Sequence, residues 1–292
     1  MKKSYQKISP TAKLVAYLRT FTDIPFAKEI AAESGAEKTF QELTGGSAKS
    51  IVRAPVWEAR YKTTDRILVQ RSITQILEIA AGLSPRGLAM TKNPDVVYVV
   101  TDLPQILEQE EAIAKAILAR LNSRRPNLHF QVANALDRES LSRAAVPFKS
   151  NRPIAIITEG LLPYLNRGEK EVLAGNIHEL LGKYGGVWIT SDVNTKQFME
   201  RISQVDENVQ RRLSRLSSFT ESNLESNLFA DKNDILQFFN KAGFNIEEYP
   251  HSNVYEDLSS VKLLNLNQEE LLRIQQGLKI VKTLILTPRN TT

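Results

Sequence analysis

The 292-residue sequence contains no cysteine. That single absence excludes disulfides, thiolate metal sites and cysteine nucleophiles together. Histidine is scarce: His129, His178 and His251 are the only three. No His, Asp and Glu residues fall at metal-ligand spacing, so no metal is expected. The sequence also lacks any run of about 18 apolar residues, the length that crosses a bilayer. No membrane partner is therefore expected. The opening stretch, MKKSYQKISP, is basic but has no apolar segment of the secretory kind. A cytoplasmic location is the expectation that follows.

What the chain does have is ordinary for a globular enzyme: 42% hydrophobic and 24% charged residues. Its length suits one large α/β domain with an added cap, or two small domains. A chain of this size buries roughly three quarters of its unfolded surface, so it needs no covalent staples. The net charge of +5 raises the question of nucleic acid. The basic residues are scattered, however. The densest groups, Arg120, Arg124 and Arg125, and then Arg211, Arg212 and Arg215, lie on expected helices or their ends with acids nearby. They read as solvated faces, and no nucleic-acid partner is expected.

Residues 1–72 read as helical. Leu14, Val15 and Leu18 have helical spacing within Thr11–Thr20, before Asp23-Ile24-Pro25 breaks the pattern. A short helix over Phe26–Glu33, a loop over Thr44–Ser47 and a helix over Val56–Arg71 follow. After Ser72, short β-branched runs alternate with helical ones. Strands are expected at Ile76–Ala80, Val96–Thr101, Leu128–Ala133, Ile154–Thr158, Gly186–Ser191, Asn245–Tyr249 and Thr283–Thr287. Helices are expected at Pro104–Leu121, Arg138–Ala144, Glu169–Tyr184, Asp231–Lys241 and Gln268–Ile280. Such alternation specifies a mostly parallel sheet covered on both faces. Residues 193–230, rich in Ser, Asn and Arg, are expected to form a helical insertion after the fifth strand. Its place is the C-terminal edge of the sheet, where ligands bind.

The turn Ala81-Gly82-Leu83-Ser84-Pro85-Arg86-Gly87 follows the first strand. Gly82 permits positive φ and close approach of a ligand. Ser84 can cap the next helix and Pro85 suits its first turn. Leu88-Ala89 stands where a P-loop needs Lys and Ser or Thr, and Ser84 stands where a dinucleotide turn needs its second glycine. Glu78 adds negative charge near the turn. A ligand carrying an amino group and a sulfonium fits better than a phosphate. Asp102 ends the second strand, twenty residues beyond Gly82, where an acid accepts hydrogen bonds from ribose hydroxyls. It can equally cap the following helix. Asn134, after the third strand, suits an adenine amino group, while Asp137 is better placed as a helix cap. Glu159, at the tip of the fourth strand, either faces the crevice or pairs with a nearby Arg.

Three stretches, ILEIAAGLSPRGL (76–88), VVYVVTDLPQIL (96–107) and ITEGLLPYL (157–165), resemble the leucine carboxyl methyltransferase-like family. That family includes bacterial O-methyltransferases of polyketide-type small molecules. EARYKTTDRIL (58–68) is a weaker fourth match, and the resemblance covers roughly residues 8 to 190. It implies a class I S-adenosylmethionine-dependent methyltransferase: a doubly wound, mostly parallel seven-stranded sheet over residues 73–292, with an N-terminal helical cap over 1–72. By position, Gly82 would lie against the methionine part of the cofactor and Asp102 would hold the ribose. Asn134 and Ala135 would flank the adenine. Glu159 would meet the amino group or the cap, and Arg60 would reach the carboxylate with its guanidinium fork. Lys13 or Arg19 would add to that site or face the acceptor. Glu78, Ala80 and Leu103 complete the expected cofactor-binding set. Asn134 departs from the family's frequent Asp, and Pro163 from its frequent Met. The family's eukaryotic members methylate a protein C-terminal carboxylate, but nothing here encodes that partner.

A small-molecule methyl acceptor is expected, with a protein C-terminal carboxylate as the alternative acceptor and a non-catalytic cofactor-binding protein as the alternative from another class. Methyl transfer from a sulfonium mainly needs alignment and exclusion of water. A hydroxyl acceptor also benefits from a base, and a carboxylate needs none. Tyr164, Asp192 and Asn194 are expected near the crevice. Tyr164 and His251 are the candidate catalytic residues, while His129 and His178 read as structural.

Overall fold

The β-branched runs pair as parallel strands because both of their faces are apolar. The computed structural model describes residues 9–205 and 224–289. Five helices come first: α1 (Pro10–Arg19), α2 (Ala27–Glu33), α3 (Ala36–Thr44), α4 (Ala48–Ile51) and α5 (Ala54–Gln70). Strands and helices then alternate: β1 (Gln75–Ile79), α6 (Arg86–Met90), β2 (Val97–Asp102), α7 (Pro104–Arg120), β3 (Leu128–Val132), α8 (Arg138–Ala144), β4 (Ile154–Thr158), α9 (Arg167–Tyr184) and β5 (Gly186–Thr190). After α10 (Lys196–Val205) come α11 (Lys232–Lys241), β6 (Phe244–Pro250), α12 (Ser259–Leu263), α13 (Gln268–Ile280) and β7 (Lys282–Pro288).

The seven strands lie in the order β3-β2-β1-β4-β5-β7-β6. β7 runs antiparallel to β5 and β6, and the other pairings are parallel. Every expected strand forms, with ends within one residue of the sequence reading. α3 and α4 were not foreseen. Within α3 only Ala36 and Phe40 are buried, so its apolar stripe is too sparse to stand out. Of the expected helical insertion, residues 193–205 are described and contain α10; residues 224–230 form turns and a bridge from Phe229 to Thr195 rather than helix; residues 206–223, with Arg211, Arg212 and Arg215, lie outside the described residues.

Alternate residues of each strand serve opposite faces. Leu77, Ile79, Val99, Ile154, Ile156 and Trp188 pack against α8, α9 and α11. Trp188 meets Phe239 and Phe244 edge-on, with ring centroids at 5.4 and 5.6 Å. Ile76, Tyr98, Val100, Ala155 and Ile157 face the other way, toward Ile67 and Leu68 of α5 and Leu107 of α7. Glu78 shares this second face. The first helices are not set apart: Ala16, Ile30 and Ala36 share a core with Leu83, Leu88, Ala114 and Ile117.

One buried polar cluster ties the layers. Glu58 of α5 is fully buried and accepts the N–H groups of Ser259 and Ser260, at 2.8 and 2.9 Å, and both of their hydroxyls. Lys62 completes that cluster, 2.8 Å from Glu58 and 2.7 Å from Asp23. At the start of β5, Gly186 has φ 109°, and a Cβ there would stand 1.9 Å from the Ile154 carbonyl oxygen. Gly186→Ala is therefore expected to destabilise the fold by more than about 3 kcal/mol, combining backbone strain with a main-chain clash. Denaturant unfolding of the two proteins checks this, and an unchanged midpoint would contradict it.

Candidate functional site

The strand order reverses between β1 and β4, and the crevice outside their C-terminal ends is where a doubly wound sheet binds ligands. The turn after β1 is shaped for this. Ala80 and Gly82 have φ of 53° and 56°. Ala80 is a non-glycine residue in the left-handed region, a strained conformation of the kind that gathers at functional sites. α1 lies over the turn: a Cβ on Gly82 would be 3.5 Å from the Ala12 Cβ.

Below the turn lies a buried cluster of charge. Arg86 is fully buried, and each of its nitrogens meets a different carboxylate. Nε donates to Asp65 of α5 at 2.7 Å, Nη1 to Glu78 of β1 at 3.0 Å, and Nη2 to Glu159 at 2.9 Å. The Tyr61 ring lies under the guanidinium, 4.4 Å from its centre. Glu78 has its other oxygen taken by the Tyr98 hydroxyl at 2.5 Å. The expected cofactor residue Glu78 is thus engaged on both oxygens inside the core.

Glu159 differs. Its Oε1 accepts from Thr64 and Arg86, both at 2.9 Å. Its Oε2 lies 3.3 Å from Arg60 Nε and 3.8 Å from Arg19 Nη2, without a hydrogen bond. Burial alone would raise the pKa of Glu159, but Arg86, Arg60 and Arg19 outweigh it and hold the group down at about 2. Arg19 also donates to the Leu83 carbonyl at 3.2 Å, linking α1 to the turn. Burial, with Arg60 and Arg86 beside it, brings Arg19 down to about 10 against the pull of Glu159.

Asp102 ends β2, 7% exposed. Its Oδ1 accepts the Leu103 N–H at 2.7 Å and its Oδ2 the Gly82 N–H at 3.4 Å. It does not cap α7, whose N-cap is Leu103 and has no side-chain bond. Ser84 accepts the Arg86 N–H at 3.4 Å, and Pro85 is the N-cap of α6 rather than its first residue. Asn134 is exposed, and its side-chain oxygen accepts the Leu136 N–H at 3.0 Å. Asp137 caps α8 as expected. Asn176 donates to the Ala135 carbonyl at 3.1 Å, fixing the loop beside Asn134.

The segment after β4 is held from below. Asp192 accepts the N–H groups of Gly160, Leu161 and Leu162 at 2.7, 2.7 and 3.2 Å. Asp192 therefore positions this loop. Asn194 is exposed. The Tyr164 hydroxyl meets the Thr11 hydroxyl of α1 at 2.9 Å, across the mouth of the crevice. His251, at the end of β6, is buried, and its Nε2 meets the Thr283 hydroxyl at 2.9 Å. Its Nδ1 has no partner. Burial first, and Arg60 second, bring its pKa down to about 4, so its ring is neutral at neutral pH. Of the other histidines, His129 lies in β3 and His178 packs edge-on to Phe244. No cluster of His, Cys, Asp or Glu that could hold a metal occurs among the described residues. No described helix is long and apolar enough to cross a membrane.

The structure thus brings Arg60, Gly82, Asp102 and Glu159 to one crevice, with Arg19, Tyr164 and His251 around it. Sequence reasoning missed Arg86, Asp65 and Tyr61, the residues that organise it. The usable signal was an Arg inside a glycine turn, eight residues after a strand carboxylate.

Two predictions follow from the charge cluster. Arg86→Met is expected to destabilise the protein by about 3–5 kcal/mol, because the buried Glu78 and Glu159 and the half-buried Asp65 lose their shared partner. Arg86→Lys should recover only part of this, since an ammonium cannot address three directions in one plane. Chemical denaturation of the three proteins checks both. Because the folded pKa of Glu159 is depressed, its stabilisation is present above the ordinary carboxylate value and is lost as pH falls toward about 2. An acid unfolding curve that Glu159→Gln leaves unshifted would contradict this.

Comparison with known proteins gives the family and the fold. The model of a family described as leucine carboxyl methyltransferase matches residues 12–178. No curated protein matches the chain. Among solved structures, a DUF574 family protein from Streptomyces avermitilis is 14% identical, with 96% of this chain and 97% of that one covered and a TM-score of 0.55. A protein of Thermobifida fusca proposed as a methyltransferase is 18% identical, with 98% and 96% covered and a TM-score of 0.52. At these identities the likeness is one of fold, the Rossmann-like fold of class I methyltransferases.

Proposed function

The chain belongs to the leucine carboxyl methyltransferase family and is an S-adenosylmethionine-dependent methyltransferase; from this premise we propose that it methylates a hydroxyl or carboxylate oxygen of a small molecule. The observation that carries the reading is the pair formed by Glu159 Oε2 and Arg60 Nε. Both atoms are buried at the crevice, ion-paired at 3.3 Å, and neither has a hydrogen-bond partner. Three guanidiniums, of Arg19, Arg60 and Arg86, stand there among the carboxyls of Asp65, Glu78 and Glu159. A cluster so matched in charge suits a ligand end that is itself zwitterionic, as an amino acid end is. These residues therefore fit the cofactor.

When bound, S-adenosylmethionine supplies a methyl group already activated on a sulfonium. Arg60 would hold its carboxylate end and Glu159 its ammonium end. Gly82 and Ala80 would leave room for the methionine part. Asp102 accepts from the ribose hydroxyls, with Leu103 beside it, and Asn134 and Ala135 flank the base. α1 covers the turn, and the Thr11–Tyr164 contact closes the mouth. His251 Nδ1 accepts a hydrogen bond from an acceptor hydroxyl while Nε2–H donates to Thr283. With a pKa of about 4, His251 orients that hydroxyl more readily than it keeps its proton.

Asp102→Ala is expected to weaken S-adenosylmethionine binding by at least about tenfold, the loss of hydrogen bonds to a charged group. Calorimetry on folded protein checks this; no binding by the unaltered protein would leave a non-catalytic scaffold as the reading. His251→Ala should lower kcat by about tenfold or more while leaving the KM for the cofactor unchanged. Screening of small acceptors with labelled cofactor completes the test. Label appearing on a protein C-terminus instead would favour a protein carboxyl methyltransferase.

A further inference from the structure

Glu110, on the second turn of α7, is 5% exposed, and neither of its carboxyl oxygens has a hydrogen-bond partner. It lines a small cavity beneath the glycine turn, together with Gly82, Ser84, Val100, Ile30 and Phe130. An ionised carboxylate cannot remain in such a place without partners. The acid against it is Asp102, whose Oδ2 takes the N–H of Gly82, a residue lining the same cavity, and whose charge acts on Glu110. Two carboxyls buried side by side without a cation can meet only when one of them carries a proton.

We infer that Glu110 is a second acid of the ribose site: its protonated carboxyl donates to Asp102 and fixes that group against the Gly82 N–H, so the cofactor binds only while the pair holds one proton. The inference rests on the proposed cofactor reading. Asp102 spends its other contacts on the N–H groups of Gly82 and Leu103. The hydroxyl of Glu110 thus sets which way the Asp102 oxygens turn, and with them the acceptor geometry offered to a ribose. The surroundings supply no cation to replace the proton. α2 and β3 contribute Ile30 and Phe130, the turn contributes Gly82, Leu83 and Ser84, and β2 contributes Val100. The remaining titratable group that acts on Glu110 is Glu78 of β1, whose charge Arg86 takes up. Burial, then Asp102, then Glu78, accordingly push Glu110 well above the ordinary carboxylate range. Burial also raises Asp102. Glu110 is a positioning residue, since it acts through Asp102.

The test is calorimetric binding of S-adenosylhomocysteine to the full chain, from mildly acidic to mildly alkaline buffer. For the unaltered protein, Kd is expected to rise about tenfold per pH unit once the pair titrates, because one proton is required for binding. Glu110→Gln keeps a neutral donor and should bind with a flat profile. Glu110→Leu should bind about tenfold more weakly at acidic pH. Infrared spectroscopy gives a second readout: the band of a protonated carboxyl should vanish in Glu110→Gln. An equal pH slope in the unaltered protein and Glu110→Gln, or persistence of that band, overturns this inference alone. Failure of the unaltered protein to bind at any pH overturns the cofactor reading and this inference together.

Discussion

The site is organised by one guanidinium. Arg86 sits where water does not reach, and its three nitrogens point at carboxylates from α5, from β1 and from the segment after β4. A buried charge of this kind persists only when every donor is used and the counter-charges are close. The geometry therefore constrains three elements at once. α5 must present Asp65 and Tyr61, β1 must turn Glu78 to the helix side, and β4 must end with Glu159 pointing inward. With these fixed, the opposite oxygen of Glu159 has one direction left to face, toward Arg60, Arg19 and the crevice. Ionic order in the core thus becomes orientation at the surface of the site.

Much of the scaffold was legible because its signals are local. VVYVVT and IAIIT are apolar on both faces, and only a strand covered by two helical layers needs that pattern. Asn166 with Glu169 and Asn267 with Glu270 form capping boxes, so two long helices announce their starts. Asp102 could be found from its distance to Gly82, since strand length and helix length set that spacing. The charge cluster was not legible. Arg86 meets Glu159 across 73 residues of chain, and no periodicity encodes such a meeting. Glu78 illustrates the same limit. Its acidity near the turn read as part of the ligand site, whereas Arg86 and Tyr98 claim both of its oxygens.

The acceptor end obeys a different logic from the donor end. In the proposed reading, the donor would be recognised by main-chain turns and strand tips, which the fold places automatically. The acceptor side would be built from Tyr164, His251 and α1, which come from three distant parts of the chain. Asp192 links the two regions. By collecting three N–H groups of residues 160–162 it sets the path of the segment that begins at Glu159 and ends at Tyr164. Glu159 and Tyr164 thus lie on one continuous piece of backbone, so neither can be repositioned alone.

The contact between Glu58 and Ser259–Ser260 joins residues about two hundred positions apart. During synthesis, α5 emerges long before those partners exist. Until they arrive, Glu58 has Lys62 of the same helix as a partner but lacks the four serine groups that satisfy it in the dry interior. Contacts of such sequence separation carry a large loop-closure cost and slow folding. The helix that carries Arg60 and Asp65 is therefore among the last parts of the molecule to be fixed. The cofactor crevice comes into being only when the C-terminal third of the chain has docked.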